Sequence, residues 1–76
     1  MPPKLRRVPA DKVIRALERL GFVQIRQRGS HVMLKKQTSG GVVGCVVPLH
    51  NNLPIGTLRS ILRQAQVTPE EFMEHL

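Results

Sequence analysis

Two turn sequences divide the middle of this chain into three runs of β-branched and apolar residues, and this pattern limits the possible folds more than any other feature. The runs are FVQIRQ, HVMLKK and VVGCVVP, and the turns between them are RGS and TSGG. Short runs separated by glycine-containing turns are typical of antiparallel strands joined as hairpins. The sequence therefore predicts one three-stranded antiparallel sheet.

The spacing of the apolar residues predicts how the first two strands pair. A loop at residues 28–29 gives two pairs on one face of the sheet, Ile25 with Val32 and Val23 with Leu34. Because side chains alternate between the faces of a sheet, we expect all four to face the core. A four-residue loop would keep the same parity.

The same register predicts the surroundings of the histidine in this region. It places His31 directly opposite Arg26, and Gln24 opposite Met33, on the face away from the core. The imidazole is therefore expected on the uncovered side of the sheet, beside a guanidinium group.

The second hairpin is predicted from the turn TSGG. It gives the following pairs: Gln37 with Val42, Leu34 with Cys45, and Val32 with Val47. The core face is then the same in both hairpins. Met33, Val42 and Val46 lie on the opposite face, where they form an exposed apolar patch of the kind that often binds partners.

Amphipathic runs on both sides of the predicted strands indicate two helices. Apolar residues recur at helical spacing from Asp11 to a stop at Gly21, and again from Ile55 to Ala65. The order helix, three strands, helix is that of a double-stranded-RNA-binding domain, although the second helix lacks the lysine cluster with which such domains generally begin it.

A capping box predicts a short third helix at the C-terminal side. Thr68 is followed by Pro69 at the first helical position and by Glu71, which can reach back to the cap. Phe72 and Leu76 are expected to face inward.

These elements together predict the fold class and the domain organisation. The fold is α+β and resembles a double-stranded-RNA-binding domain, α-β-β-β-α, with two helices on one face of a three-stranded antiparallel sheet and a short C-terminal helix. Residues 1–9, rich in proline and basic residues, are expected to form a loosely ordered arm. Residues 10–76 are expected to form a single domain.

Positive charge is concentrated in the first half of the chain. The net charge is +7, and residues 1–36 hold ten Lys and Arg against two acids, whereas residues 37–76 hold two against three. This excess favours a polyanionic partner, nucleic acid first. Lys12, Arg15 and Arg19 lie opposite the apolar stripe of the first helix; this basic ridge either binds a polyanion or is only a solvated helix face.

Several classes of protein are not favoured. The single Cys45 has no partner for an intrachain disulfide, and no Cys or His cluster has the spacing of a zinc site. The N-terminal stretch MPPKLRRVPA has no apolar run behind its basic residues, and no later stretch approaches a membrane span. We expect a cytoplasmic protein with no metal, no cofactor and no membrane partner.

Four motifs in fixed order carry a closer resemblance. They are LERLGF, Gly29-Ser30-His31, the step from Pro48 to His50, and GTLRSIL from residue 56. In this order they resemble the HicA family of bacterial toxins. The chain differs from the commonest form of that family in having Val32 where many members carry a second histidine, and in its longer basic arm.

The resemblance implies a function. Members of the family are mRNA interferases, endoribonucleases that cut mRNA without the ribosome and are neutralised by a HicB antitoxin. The resemblance assigns catalysis to the histidine of the Gly-Ser-His motif, which is His31 in this sequence. It also implies two partners, an mRNA substrate and a HicB-type antitoxin protein.

The chemistry of RNA makes this assignment plausible by itself. RNA carries its own nucleophile in the 2′-hydroxyl group, so that cleavage needs a proton acceptor, a proton donor and cations around the phosphate. An imidazole can exchange protons near neutral pH. The expected site consists of His31 as the catalytic residue, supported by Gly29, Ser30 and Arg26.

RNA binding is assigned to six further basic residues of the first half, Lys12, Arg15, Arg19, Arg28, Lys35 and Lys36. His50 is either a second acid or base or a structural residue of the turn, and His75 is expected to be incidental. Cys45 is assigned to the core.

Two other functions stay open on sequence grounds. The chain could be a non-catalytic double-stranded-RNA-binding module in which His31 only contacts phosphate. It could also be a structural protein whose basic face meets an acidic partner.

Overall fold

The computed structural model describes residues 4–76. Its elements, in chain order, are α1 (Ala10–Arg19), β1 (Val23–Arg28), β2 (His31–Thr38), β3 (Gly41–Pro48), α2 (Ile55–Ala65) and α3 (Pro69–Glu74). The strands form one antiparallel sheet in the order β1-β2-β3. The predicted α-β-β-β-α architecture with a short third helix is confirmed. No helix within residues 4–76 combines the length and the apolar character that crossing a bilayer requires.

The core lies between one face of the sheet and the two long helices. The sheet contributes Val32, Leu34, Cys45 and Val47, all buried. They pack in a single cluster with the apolar stripes of the two helices: Val13, Ile14, Ala16 and Leu17 from α1, and Leu58, Ile61, Leu62 and Ala65 from α2. Because both helices cover the same face, the other face of the sheet is left open to solvent.

The pairing of β2 with β3 agrees with the sequence-based register. Leu34 lies opposite Cys45 and Val32 opposite Val47, with Gln37 opposite Val42. On the outer side of β3, the side chain of Gln64 in α2 accepts a hydrogen bond from the backbone N–H of Val46 at 3.2 Å. This contact satisfies a backbone donor at an edge strand.

The predicted register of β1 with β2 is wrong. His31 pairs with Arg28, not with Arg26, and Arg26 pairs with Met33. The loop is Gly29-Ser30, and Gly29 has a φ of +57°. A glycine with positive φ at the first central position suits a two-residue hairpin turn, whereas Arg28 at that position would be strained.

A bulge in β1 is the cause of a second error in the predicted register. The pairing shifts between Gln24 and Arg26, so that Ile25 has no partner on β2. Val23 pairs with Lys35 rather than Leu34. Val23 and Ile25, expected in the core, are 64% and 54% exposed. A bulge inserts one extra residue and reverses the face on which the preceding residues lie.

Part of the basic arm packs onto the domain. Leu5 and Val8 are buried members of the core, and Val8 forms an isolated bridge with Leu53. The expectation of a loosely ordered arm is therefore wrong for this segment, because its apolar residues lie against the domain. Residues 1–3 of the arm lie outside the described residues, and the domain boundary at residue 10 stays a prediction.

The C-terminal helix begins as the sequence indicates but ends differently. The Thr68 hydroxyl accepts from the backbone N–H of Glu71, and the Glu71 carboxylate accepts from the backbone N–H of Thr68, which completes the capping box. Phe72 is fully buried. Leu76, expected to face inward, is 41% exposed. It lies beyond the end of α3, where the helical spacing no longer sets its direction.

Candidate functional site

His31 stands at one end of the open face of the sheet. It is the first residue of β2, it is exposed, and it lies between Arg28 of β1 and Pro48 of β3. Directly opposite residues in an antiparallel pair share a face. The imidazole is therefore beside a guanidinium group on the uncovered side of the sheet, as expected, but that group belongs to Arg28.

The Gly29-Ser30 turn holds His31 at this position. The Ser30 carbonyl accepts a hydrogen bond from the backbone N–H of Leu49 at 2.6 Å, which ties the turn to the end of β3. The side-chain amide of Gln27 donates to the Gly29 carbonyl at 3.3 Å. Among residues 4–76, no atom other than those of Gly29 and its chain neighbours lies within 4 Å of the position that a Gly29 Cβ would occupy. The outer side of the turn is therefore open to a ligand.

Two more cations share the open face with His31. Arg26, opposite Met33, is a diagonal neighbour of His31 instead of its direct partner, at a Cα distance of roughly 7–8 Å for such pairs. Lys35 lies two rows further along β2, opposite Gly44, and its Cγ would be 3.5 Å from a Cβ built on that glycine. The Lys35 stem therefore lies beside Gly44 of β3 on the open face.

Lys36 is not part of this group. It lies on the other side of the sheet, with its Nζ 5.9 Å from the centre of the Phe22 ring and its stem beside Gly21. Its apolar stem covers Phe22 at the edge of the core. The structure thus separates Lys36, which the sequence analysis assigns to RNA binding, from His31.

The basic ridge of Lys12, Arg15 and Arg19 is exposed and lines a cavity of about 260 Å³ together with Asp11 and Leu76. The α1 helix that carries it packs on the covered face of the sheet. Since a helix with its side chains is about 10–12 Å thick, the ridge and the open face lie on opposite sides of the molecule. One phosphate group cannot contact both of them.

Arg19 differs from the other two ridge residues. Its guanidinium donates a hydrogen bond to the His75 carbonyl at 2.7 Å, and a ring nitrogen of His75 lies 2.8 Å from the Glu71 carbonyl. Arg19 thus connects α1 to the end of α3. His75 has structural contacts, a feature that its position beside the C-terminus does not reveal.

Cys45 is buried in the core, as assigned from the sequence. Burial raises the pKa of its thiol to about 11, because the low-polarity surroundings disfavour the thiolate. A thiol in this state is a poor nucleophile near neutral pH. Cys45 therefore has no place in the chemistry of the site.

Two of the four sequence motifs meet at the end of the sheet. The Gly29-Ser30-His31 segment forms the first hairpin turn, and the segment from Pro48 to His50 leaves the adjacent strand beside it. These two motifs, which are far apart in the sequence, therefore lie side by side in the fold.

Comparison with protein families decides the identity of the chain. The family described as the HicA toxin of bacterial toxin-antitoxin matches residues 10–67. The chain belongs to the HicA toxin family. A search of curated proteins finds no match. As a HicA toxin, the chain is the toxin of a toxin-antitoxin system, and an antitoxin is its expected partner.

Sequence reasoning missed the relation between His31 and Arg28 in this HicA toxin. The signal was present in Gly29, which is the residue best suited to the first central position of a two-residue turn. Placing Gly29 there, instead of at the second position, gives the observed pairs at this end of the hairpin. The bulge at Ile25 has no comparable signal in the sequence.

Proposed function

We propose that this HicA toxin is an endoribonuclease that cleaves mRNA without a metal ion, with His31 as an acid-base catalyst. The observation that carries the proposal is the position of His31, exposed on the open face and directly opposite Arg28. An enzyme that cleaves RNA through its own 2′-hydroxyl needs a proton-transfer group and a cation at one phosphate. This pair provides both.

The reaction follows from the chemistry of the substrate. His31 accepts the proton of the 2′-hydroxyl while the 2′-oxygen attacks the adjacent phosphorus. The bond from phosphorus to the 5′-oxygen breaks, and the products are a 2′,3′-cyclic phosphate and a 5′-hydroxyl end. Negative charge develops on the phosphate oxygens, where Arg28 stabilises it best because it is the nearest cation across the sheet.

The other cations hold the substrate at a greater distance from the reaction. Arg26 and Lys35, on the same face as His31, contact the phosphates on either side of the cleaved one. Ser30 and the backbone N–H of Gly29 orient a phosphate oxygen at the turn. Lys12 and Arg15, on the far side of α1, bind a more distant part of the RNA chain, as most of the affinity of such proteins comes from phosphate contacts.

A HicB-type protein is the proposed antitoxin, and the cytoplasm, where mRNA is exposed, is the proposed compartment. The open face of the sheet offers such a partner both charge and apolar surface. Val42 is 60% exposed there, and Met33 and Val46 are half-buried. A partner that covers this face would also cover His31.

Growth arrest and turnover of RNA test the proposal together. Expression of the wild-type chain should stop growth, and the purified protein should cleave end-labelled RNA in the presence of EDTA. His31→Ala should abolish both effects while the protein still binds RNA. His75→Ala is the matched control, since it also removes an imidazole but at the far end of α1, and it should retain activity.

Modified substrates test the nucleophile. DNA and 2′-O-methyl RNA lack a free 2′-hydroxyl and should survive. Cleavage of either one, inhibition by EDTA, or full activity in His31→Ala would contradict the mechanism. Binding without turnover by the wild-type protein would favour the other candidate, a non-catalytic RNA-binding module.

A further inference from the structure

The proposed reaction needs two proton-transfer groups, and His31 is only one of them. When a 2′-oxygen attacks phosphorus, the leaving 5′-oxygen departs on the opposite side, with the two oxygens roughly in line. One imidazole cannot reach both oxygens at the same time. A second group must give a proton to the 5′-oxygen, and an imidazolium is a stronger acid for this task than the side chain of lysine or arginine.

His50 lies at the same end of the sheet as His31. The last residue of β3, Pro48, pairs with His31, and the next residue, Leu49, donates its backbone N–H to Ser30. Paired Cα atoms are about 5 Å apart and two residues span at most about 7 Å, so the Cα atoms of His31 and His50 lie within about 12 Å of each other.

The backbone around His50 is fixed by hydrogen bonds at several points. Its N–H donates to the Pro48 carbonyl at 2.9 Å, which closes a tight turn at Leu49. Its carbonyl accepts from the N–H of Ala10, at the start of α1, at 3.0 Å. The position of His50 relative to the Gly29-Ser30 turn is therefore set by the fold.

The side chain of His50, unlike its backbone, makes no hydrogen bond within residues 4–76. It is exposed, and the hydrogen bonds of this part of the chain do not involve its ring. It lines an open cavity of about 270 Å³ with Pro9, Ala10, Asp11, Leu49 and Asn51. A cavity of this size beside the imidazole can receive the ribose of the leaving nucleotide.

His75 does not compete for this role. It is bound to Arg19 at the C-terminal end of α1, whereas His50 is bound to Ala10 at the N-terminal end. The two ends of this helix are about 13 Å apart at 1.5 Å per residue. Of the three histidines, His31 and His50 lie at the same end of the sheet, and His75 lies at the other end of α1.

We propose that His50 is the general acid of the reaction, the group that protonates the departing 5′-oxygen on the side of the phosphate opposite His31. This inference rests on the proposed ribonuclease function. As the bond from phosphorus to the 5′-oxygen breaks, its electron pair goes to that oxygen, and the imidazolium of His50 supplies the proton. His50 ends neutral and His31 ends protonated, so the charge is balanced within the pair.

A change in the leaving group tests this role directly. In an RNA oligonucleotide with a sulfur atom in place of the 5′-oxygen at one linkage, the leaving thiolate is stable without a proton, because a thiol is far more acidic than an alcohol. His50→Ala should cleave ordinary RNA about 10²- to 10⁴-fold more slowly than wild type, the usual range for a general acid. On the sulfur substrate the variant should cleave at nearly the wild-type rate.

Two further variants make the result unambiguous. His31→Ala should be slow on both substrates, because the 2′-hydroxyl still has to lose its proton. His50→Gln keeps a polar side chain of similar size and should behave as His50→Ala does. Since the comparison is a ratio of two rates within one variant, a partial loss of folded protein affects both rates equally and cancels.

Each outcome has a distinct meaning. Equal losses of His50→Ala on both substrates would show a structural role and overturn the inference, as would full activity on ordinary RNA. In either case, loss of activity in His31→Ala would leave the proposed function intact. A wild-type protein that cleaves neither substrate would overturn the proposed function and this inference with it.

Discussion

At the level of single residues, the site depends on which cation stands across the hairpin from His31. Arg28 is its direct partner and Arg26 is one row away, opposite Met33. In the proposed function, both guanidinium groups attract the phosphate backbone of the RNA. In the proposed reaction, Arg28 is the better placed of the two to stabilise the charge that develops on the phosphate beside His31.

Replacing the two arginines separately should therefore give unequal losses. Arg28→Ala should lower kcat by about 10- to 100-fold, in line with the loss of one charge-assisted contact in a transition state. Arg26→Ala should mainly raise KM. Steady-state kinetics on a short RNA would measure both effects, with Arg63→Ala on the exposed side of α2 as a control for the loss of one charge. Equal effects of Arg26→Ala and Arg28→Ala on kcat would contradict the separate roles proposed for the two arginines.

The buried thiol allows a second prediction at this scale. The pKa of Cys45 is raised to about 11 in the folded protein, from an ordinary value of 9.0, because burial disfavours the thiolate. The unfolded chain therefore loses this proton at a lower pH than the folded protein. The contribution of Cys45 to stability should be complete below pH 9.0 and should fall as pH rises toward 11.

Thiol labelling and denaturation check this prediction. A thiol-specific reagent at pH 8 should react with the native protein only as fast as the protein unfolds. Urea unfolding at pH 7.5 and pH 10 should show a larger loss of stability in the wild type than in Cys45→Ala, which lacks the titrating group. Rapid labelling of the native protein would mean that Cys45 is accessible.

At the level of elements, the two hairpins differ in how much of their geometry the sequence determines. The β2–β3 register follows from parity, because the core-facing Leu34 and Cys45 leave one pairing that buries both. In β1 all six residues are exposed, so burial does not select the register. The conformation of Gly29 and the bulge at Ile25 select it instead, and a bulge has no clear sequence pattern.

This difference explains which parts of the site were predicted. The exposed position of His31 was predicted, because it depends on β2, in which buried and exposed side chains alternate clearly. The identity of its neighbour depends on β1, in which burial does not alternate from residue to residue. The prediction of Arg26 was therefore wrong by two residues. The packing of Leu5 and Val8 was missed because two apolar residues in a proline-rich arm form no periodic pattern.

Two glycine substitutions test the role of the first turn. Gly29 has a φ of +57° and free space around it, so Gly29→Ala introduces backbone strain but no clash. It should destabilise the fold by about 1 kcal/mol, the usual cost of this conformation for an L-residue. Gly56→Ala, in the first turn of α2 and also in free space, should instead stabilise the fold by up to about 0.5 kcal/mol. Thermal unfolding of both variants measures the contrast, and an unchanged Tm for Gly29→Ala would argue against this turn.

At the level of the whole molecule, positive charge lies on two sides. One group surrounds His31 on the open face, and the ridge on α1 lies behind the covered face. Since α1 stands between the sheet and the ridge, a bound RNA that contacts both must pass around the end of the molecule. The two groups should then contribute to different kinetic constants.

Removal of the ridge charges should weaken binding without slowing the chemical step. Lys12→Ala combined with Arg15→Ala should raise KM for a long RNA, leave kcat unchanged, and have little effect on a short oligonucleotide that cannot reach α1. Each lost phosphate contact should reduce the slope of log affinity against log salt by about 0.7 for single-stranded RNA. Arg19 is kept because its bond to the His75 carbonyl holds α3 in place. The double variant Arg59→Ala with Arg63→Ala removes the same charge from α2, so an equal change in its salt dependence would mean that only net charge matters and that the ridge is a solvated helix face.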